Sequence, residues 1–558
     1  VFGNGMLLSK HIKLVAAFNH MHIFIDPTPD PAKSWRERSR LFKKTRSSWM
    51  DYNGISKGGG VFDRSSKEIK CTNEMQALLN INEPIISGEA LIQAILKSQV
   101  DLLWFGGIGT YIKSSTESHI DVGDPANNSV RINANELNCK IIGEGANLAI
   151  TQKARIEYEL NQGRINTDAI DNSAGVNMSD YEVNIKILLS TLLEQKIIKN
   201  QDDRNKILEN ATNQVTGLVL KNNIKQHELI TMDQFRSKQQ PFLIDHTISA
   251  LIKLGRLNHI DEQIPTSKER QELYRQNIPL PRSVLAKCQA YVKMRIKENL
   301  TASSLFKGGL YDEIYFNYFP ELIQNLVSKD QFPDHRLKQD IIITSLTNHF
   351  VGIYGCSSYE SITFSGQIKI DQAIHNLVIL EQIMNIKSRR DDIRNQNSIL
   401  DERIPALFEV NESLLYCNLF CHLKGIQLNA SQIETYINCL NQPKIKQLPL
   451  PLQCVFLVDT NPDVLDRIQK LNTQFGLLTN LELLTELLVS SQVMHHQKIS
   501  ILSDIYKSIL QVLDLSARQF DDFINRKSVY LIPLLANQDI LPNLFLYSFH
   551  LREELSRV

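Results

Sequence analysis

The chain changes texture once, near residue 182, and that change limits what it can fold into. Up to about residue 185, short apolar runs alternate with amphipathic stretches and glycine-rich loops. Beyond it glycine becomes sparse, and leucine and isoleucine recur at helical spacing. The first texture predicts βαβ units and a parallel sheet, the second a predominantly α-helical region. No fixed repeat period emerges, which argues against a solenoid. With a chain of 558 residues, several cores are affordable. The predicted domains are 1–185, 186–442 and 443–558, the last two divided by the proline-marked stretch 443–451.

Within 1–185 the spacing of Leu7, Leu8, Ile12, Val15 and Ala16 predicts a helix over 6–18. A strand over 22–26 ends in Asp26, after which Pro27, Pro29 and Pro31 break regular structure, and 35–70 shows little periodicity. A helix is predicted over 89–97, and a strand over 100–104 closed by Gly106 and Gly107. Strands over 139–142 and, less clearly, 165–170 each run into a peptide of small residues and carboxamides. These peptides are Gly143-Glu144-Gly145-Ala146-Asn147-Leu148 and Asp171-Asn172-Ser173-Ala174-Gly175-Val176-Asn177-Met178-Ser179. In an open parallel sheet, ligands sit outside the carboxyl ends of the strands. Small residues there let backbone approach a cofactor, and Asn offers both donors and acceptors. Gly3, Asn4 and Gly5 precede the first predicted helix, and Asp26 closes the next strand. That order suits phosphates at a helix N-terminus and an acid on the ribose hydroxyls, which favours NAD over NADP. An ordinary turn and a strand-end Asp fit the same residues. The α/β part is thus expected to be Rossmann-like and NAD-binding.

Helices beyond it are predicted over 185–196, 203–219, 247–257, 282–299, 337–351, 372–391, 411–423 and 431–440, and in pieces over 480–536. Lys+Arg and Asp+Glu both number 61, which argues against a whole-chain attraction to nucleic acid. Eight cysteines show neither zinc spacing nor a disulfide framework, and no apolar run reaches membrane-span length. A reducing cytoplasm is the expected setting, with no membrane and no nucleic-acid partner. Cys417, Cys421 and His422 have one residue too many for a c-type haem motif; a buried helix face is the plainer reading, and no metal site is expected. Lys57, between Ser56 and Gly58-Gly59-Gly60, lacks the Gly-Lys-Ser/Thr of a P-loop and reads as a solvated lysine. Lys387 to Arg390 reads as a solvated helix end, and Trp35, Trp49 and Trp104 as core anchors.

Several longer peptides carry a resemblance. Val1-Phe2-Gly3-Asn4-Gly5, Ser47-Ser48-Trp49, Ser56-Lys57-Gly58-Gly59-Gly60-Val61-Phe62 and the run from Leu102 to Tyr111 resemble the large, bacterial type of NAD-specific glutamate dehydrogenase. The likeness continues through 143–147 and 166–176, and more loosely at Pro279-Leu280-Pro281-Arg282 and 337–348. It implies oxidative deamination of L-glutamate to 2-oxoglutarate and ammonia, with hydride passing to NAD. It also implies that Asn147 and Asn172 lie beside the nicotinamide, while Val176 and Ser179 face glutamate, Ser179 reaching the side-chain carboxylate from a helix starting near Asp180. Ser173 departs from the small enzymes' alanine, and Phe105 stands where a polar residue is expected in the large family.

The resemblance places the catalytic lysine and aspartate in a substrate domain upstream of the glycine turn. A chain opening on Val1 inside that turn is therefore expected to be part of a longer protein, to hold no catalytic residue and to be inactive alone, with a homo-oligomer as the expected assembly. Two other readings stay open. A dehydrogenase of another amino acid is distinguished by Ser179, whose hydroxyl suits a carboxylate better than an aliphatic side chain. A non-catalytic nucleotide-fold and helical regulatory module is distinguished by failure to bind NADH.

Overall fold

The computed structural model describes residues 9–307, 309–363, 368–396, 399–423 and 428–441. Gly3, Asn4 and Gly5, the predicted third domain at 443–558 and the helices expected over 480–536 lie outside them.

The first part is mixed α/β. It opens with β1 (Ala16–Phe18) and β2 (His22–Ile25), followed by α1 (Pro31–Lys43), β3 (Gly60–Asp63), β4 (Ile69–Lys70) and α2 (Asn73–Leu79). Next come β5 (Ile85–Ile86), α3 (Gly88–Leu96), β6 (Leu102–Phe105), β7 (Ile112–Lys113), α4 (His119–Val122) and β8 (Ile132–Asn133). β9 (Ile141–Glu144), α5 (Gln152–Leu160) and α6 (Asp168–Asp171) complete it.

The parallel pairing is confined to the later strands. β6 pairs with β9 in the register Trp104 to Gly143 and Phe105 to Glu144, and β7 pairs with β8. Ile141 bridges in parallel to Arg164 on its other side. The earlier strands correct the expectation of parallel units throughout: β1, β2 and β3 form an antiparallel sheet in that order, and β4 with β5 an antiparallel pair. The helix expected over 6–18 is not formed in its described part. Residues 16–18 pair with 23–25 instead, and Asn19 ties the hairpin by accepting from the backbone of Met21 and His22 at 2.8 Å each. Cross-strand pairing overrides the local apolar spacing, as tertiary context does for short segments. The segment expected to be irregular after Pro31 holds α1. Asp30 caps it by accepting from the Lys33 N–H at 2.8 Å, and Pro31 occupies its first turn, where no N–H is needed.

The helical part comprises α7 (Ser173–Glu194), α8 (Gln201–Gln239), α9 (Pro241–Lys253), α10 (Ser267–Arg275) and α11 (Arg282–Thr301). It continues through α12 (Leu310–Tyr318), α13 (Glu321–Gln324), α14 (Lys338–Tyr354), α15 (Ser358–Thr363) and α16 (Ile370–Ile383). α17 (Ile386–Gln396), α18 (Leu400–Leu423) and α19 (Ile433–Leu440) follow. The helix expected over 372–391 is two, because Asn385 turns into the left-handed region at φ 48°. Arg390, expected to be solvated, is buried with its Nε on the Asn411 side-chain oxygen and Nη1 on Glu381.

Two cores result. One gathers Ile23, Ile25, Leu91, Ile95, Ile112, Ile142 and Ile165 around the strands. The other begins at Tyr181 and Ile185 and runs through α8, α11, α14 and α16. Because α7 starts at Ser173, the chain turns helical about a dozen residues before the predicted boundary at 185. Among the described residues no helix is long and apolar enough to cross a membrane.

Candidate functional site

β6 and β9 are neighbours running the same way, so the loops leaving them meet. The first, Gly106 to Thr110, is exposed at both Gly106 and Gly107. The second, Gly145 to Leu148, is fastened to it where the Thr110 hydroxyl donates to the Leu148 carbonyl at 2.7 Å. Gly143 and Gly145 are small because of Trp104. An added Cβ would lie 2.5 Å from Cε3 of that indole at Gly143, and 2.3 Å from its Cζ2 at Gly145. The ring on the adjacent strand therefore lies across both glycines, and the one-residue gap between them follows from the alternation of β9.

Glu144 between them points the other way, into the protein. It is fully buried and makes a two-pronged pair with Arg155 on α5, with Nε and Nη2 each 2.8 Å from a carboxylate oxygen. Burial pushes its carboxyl up to about 7, against the pull of Arg155. Asp168 stands 3.4 Å from the same guanidinium and accepts from the Leu148 N–H at 2.9 Å. That bond holds Leu148 at φ 61°, a conformation costing a leucine about 1 kcal/mol. Asp171 in turn accepts from the Glu144 N–H at 2.9 Å. Neither aspartate was singled out from sequence, nor was the Glu144–Arg155 pair; an acid in a strand end with an arginine on the next helix was the available signal.

These clamps bring the two carboxamides together. The Asn172 side-chain N–H donates to Oδ1 of Asn147. One whole amino group and one whole carbonyl oxygen remain on the pair whichever way the two amides are turned together. Asn172 precedes α7, and Val176 and Ser179 follow it at four and seven residues, on one helix face. Val176 is 68% exposed, and the Ser179 hydroxyl donates to the Gly175 carbonyl at 3.2 Å. The helix expected to start near Asp180 starts at Ser173, so Ser179 sits in its second turn. Asn147 and Asn172 thus lie together beyond the end of β9, Val176 and Ser179 follow along the helix that Asn172 opens, and Gly106 and Gly107 begin the loop that Thr110 ties to Leu148.

Asp26 does not join them as a free acid. It is buried, accepting from the Ser56 N–H at 3.1 Å and from the Ser56 hydroxyl. Its Oδ1 is turned toward the 56–60 loop, whose Gly59 leaves no room for a Cβ against Ile25 and Ile55. Lys57 is 93% exposed and lies 3.2 Å from Glu74, a solvated lysine. Phe105 is buried and stacks on Tyr111, so it does not line the cleft. Cys417 and Cys421 are buried on one face of α18, and no metal-binding cluster occurs among the described residues.

With this geometry, the sequence comparisons are decisive. Residues 1–233 match the family described as bacterial NAD-glutamate dehydrogenase, catalytic domain, and residues 277–413 match glutamate dehydrogenase, C-terminal. The chain belongs to the bacterial NAD-glutamate dehydrogenase family. It is 43% identical over 384 residues to the NAD-specific glutamate dehydrogenase of Mycobacterium tuberculosis, covering 67% of this chain and 23% of that protein. The like-named proteins of Pseudomonas aeruginosa and Halomonas elongata are 40% identical over 408 residues and 42% over 357. Those matches cover 73% and 64% of this chain, and 25% and 22% of the relatives. The chain therefore spans about a quarter of the length of the curated relatives it matches. All the cleft residues fall within the catalytic-domain match of this glutamate dehydrogenase family, and the C-terminal match opens just before Arg282.

Proposed function

We propose that this chain serves NAD-dependent oxidative deamination of L-glutamate to 2-oxoglutarate and ammonia, and that it supplies the nicotinamide-binding wall of the cleft. The observation that carries the reading is the Asn147–Asn172 pair, Asn147 following the carboxyl end of the parallel strand β9 and Asn172 opening α7. A nicotinamide carboxamide has one carbonyl acceptor and one amino donor, and the pair keeps one donor and one acceptor to match them. NAD, when bound, takes the hydride from the substrate carbon. The protein's part is to fix the ring so that this carbon meets it at near-attack distance. Val176 and Ser179, farther along the same helix face, suit the substrate, Ser179 turning its hydroxyl from Gly175 to a carboxylate.

The part holding β6 to β9 is read as Rossmann-like, supported by the two parallel pairs and by the loops at their carboxyl ends. For the adenosine half of the cofactor, Asp26 is a buried acid whose Oδ1 is taken by Ser56, which weighs against a ribose role. Proton-transfer groups are placed outside this wall, on the part of the cleft facing it. The free thiols of Cys71, Cys139, Cys288, Cys356, Cys417 and Cys421 support a reducing cytoplasmic setting.

Calorimetric titration of the 558-residue chain with NADH and NADPH tests the reading. Saturable NADH binding is expected. A chain that binds neither nucleotide would refute the cofactor wall and favour the regulatory-module alternative.

A further inference from the structure

Among the side chains by which the helical part meets the 144–173 segment, Arg282 makes the most hydrogen bonds, beside Asn223, Gln226, His227 and Gln234 of α8. Arg282 opens α11 directly after Pro281, and its backbone N–H donates to both carboxylate oxygens of Glu159 on α5 at 2.7 Å. Its guanidinium ties Asn166, in the loop before α6, to three acceptors on α8. Nε donates to Oδ1 of Asn166 at 2.7 Å, Nη1 to Thr231 and Gln234 at 3.0 and 3.1 Å, and Nη2 to the His227 carbonyl at 3.3 Å. Asn166 spends its side-chain N–H groups on Oδ1 of Asp171 and on Nδ1 of His227, both at 3.0 Å. The second oxygen of Asp171 takes the Glu144 N–H. Asp171 therefore bridges the end of β9 to the junction between α6 and α7, the two backbones that carry Asn147 and Asn172.

We propose that Arg282 is a positioning residue for the Asn147–Asn172 pair, acting through Asn166 and Asp171, so that the helical region sets the geometry of the nicotinamide wall. The proposal rests on the cofactor reading above. Asp171 fixes the separation of the two carboxamides by touching both backbones, and Asn166 fixes Asp171. Only a planar fork can serve Asn166, Thr231, Gln234 and His227 together, since a lysine offers one ammonium at one point. Misplacement of a positioning group by about 1 Å can cost on the order of a hundredfold in an oriented reaction. A loss of this size in cofactor binding is not required. A shift that leaves one of the two carboxamide bonds unmade weakens NADH by about tenfold.

The test measures NADH affinity of the full chain for Arg282→Met and Asn166→Leu, each alone and combined with Asn147→Ala. Asn166→Leu leaves Arg282 its other three partners, so it keeps the question open to refutation if Arg282→Met does not fold. Each variant is expected to weaken NADH about tenfold alone and to add less than twofold once Asn147 is gone. Arg282→Lys is expected to recover only part of the loss. An unchanged affinity in both single variants overturns the proposal, and so does an equal fold loss with and without Asn147, which would mark a merely structural role. An unaltered chain that fails to bind NADH overturns the cofactor reading and this proposal together. Normal binding with indifferent variants overturns this proposal alone.

Discussion

Replacing Gly145 with alanine separates two reasons for a glycine beside a cofactor cleft. The added Cβ would stand 2.3 Å from Cζ2 and 3.0 Å from both Cε2 and Cη2 of Trp104. Carbon atoms pack at about 3.5–4.0 Å, so the overlap with the ring is on the order of 1 Å. The indole is rigid, and its own strand is hydrogen-bonded to β9 in register. Overpacking of this kind costs about 1–3 kcal/mol. In a Trp104→Leu background the clash is gone, and Gly145→Ala should cost less than about 0.5 kcal/mol, giving a coupling of about 1–2 kcal/mol. Hydrogen exchange on peptides covering β9 reads the local opening energy and avoids treating a two-core chain as two-state. An alanine that costs the same in both backgrounds would refute the packing argument. NADH binding adds a second readout: if Gly145 also lets the cofactor backbone pass, the double variant regains stability but not affinity.

Other predictions follow from single contacts. Glu412 is 6% exposed and its carboxyl is pushed by burial from 4.5 up to about 7. The folded chain then holds a proton that the unfolded chain has released, so stability is lost as pH rises from 4.5 through 7. Glu412→Gln should therefore gain about 3 kcal/mol on the unaltered chain between pH 4.5 and 8, read by hydrogen exchange on peptides covering α18 at each pH; a pH-independent difference would show that Glu412 ionises normally. Asp26→Ala should destabilise by about 1–3 kcal/mol, because it strips Ser56 of its buried acceptor. The same substitution should leave the NADH to NADPH preference unchanged, and a shift toward NADPH would restore the ribose role for Asp26. Ser179→Leu should change helix stability by less than about 0.5 kcal/mol. In an active enzyme carrying this sequence it should raise the KM for glutamate about tenfold, corresponding to a lost hydrogen bond to a charged group, and retained glutamate preference would refute the substrate role.

The strand ends and helix starts around the candidate site were legible because they depend on local order. Glycines follow the strand end at Phe105 and flank the one at Glu144, and Asn147, three residues after Glu144, meets Asn172. Helix spacing located α11 to its first residue, Arg282. What escaped depends on contacts made at a distance. The apolar spacing of 6–18 suits a helix, and only the hairpin with 22–25 turns its end into a strand. Asp30 before Pro31 is a helix start, yet the prolines nearby read as breakers. Asp26 meets Ser56 thirty residues on, and Arg282 reaches Asn166 across 116, so neither partner is visible in a window of sequence. The Trp104 ring gave the clearest lesson: the small residues at 143 and 145, which read as room for a ligand, make room for protein.

The central claim is that Asn147 and Asn172 hold the nicotinamide. Calorimetric titration of NADH into the unaltered chain and into Asn147→Ala and Asn172→Ala tests it directly. The account predicts binding by the unaltered chain and a loss of about tenfold in either variant, the cost of one unmade hydrogen bond. Equal affinity in all three would contradict it.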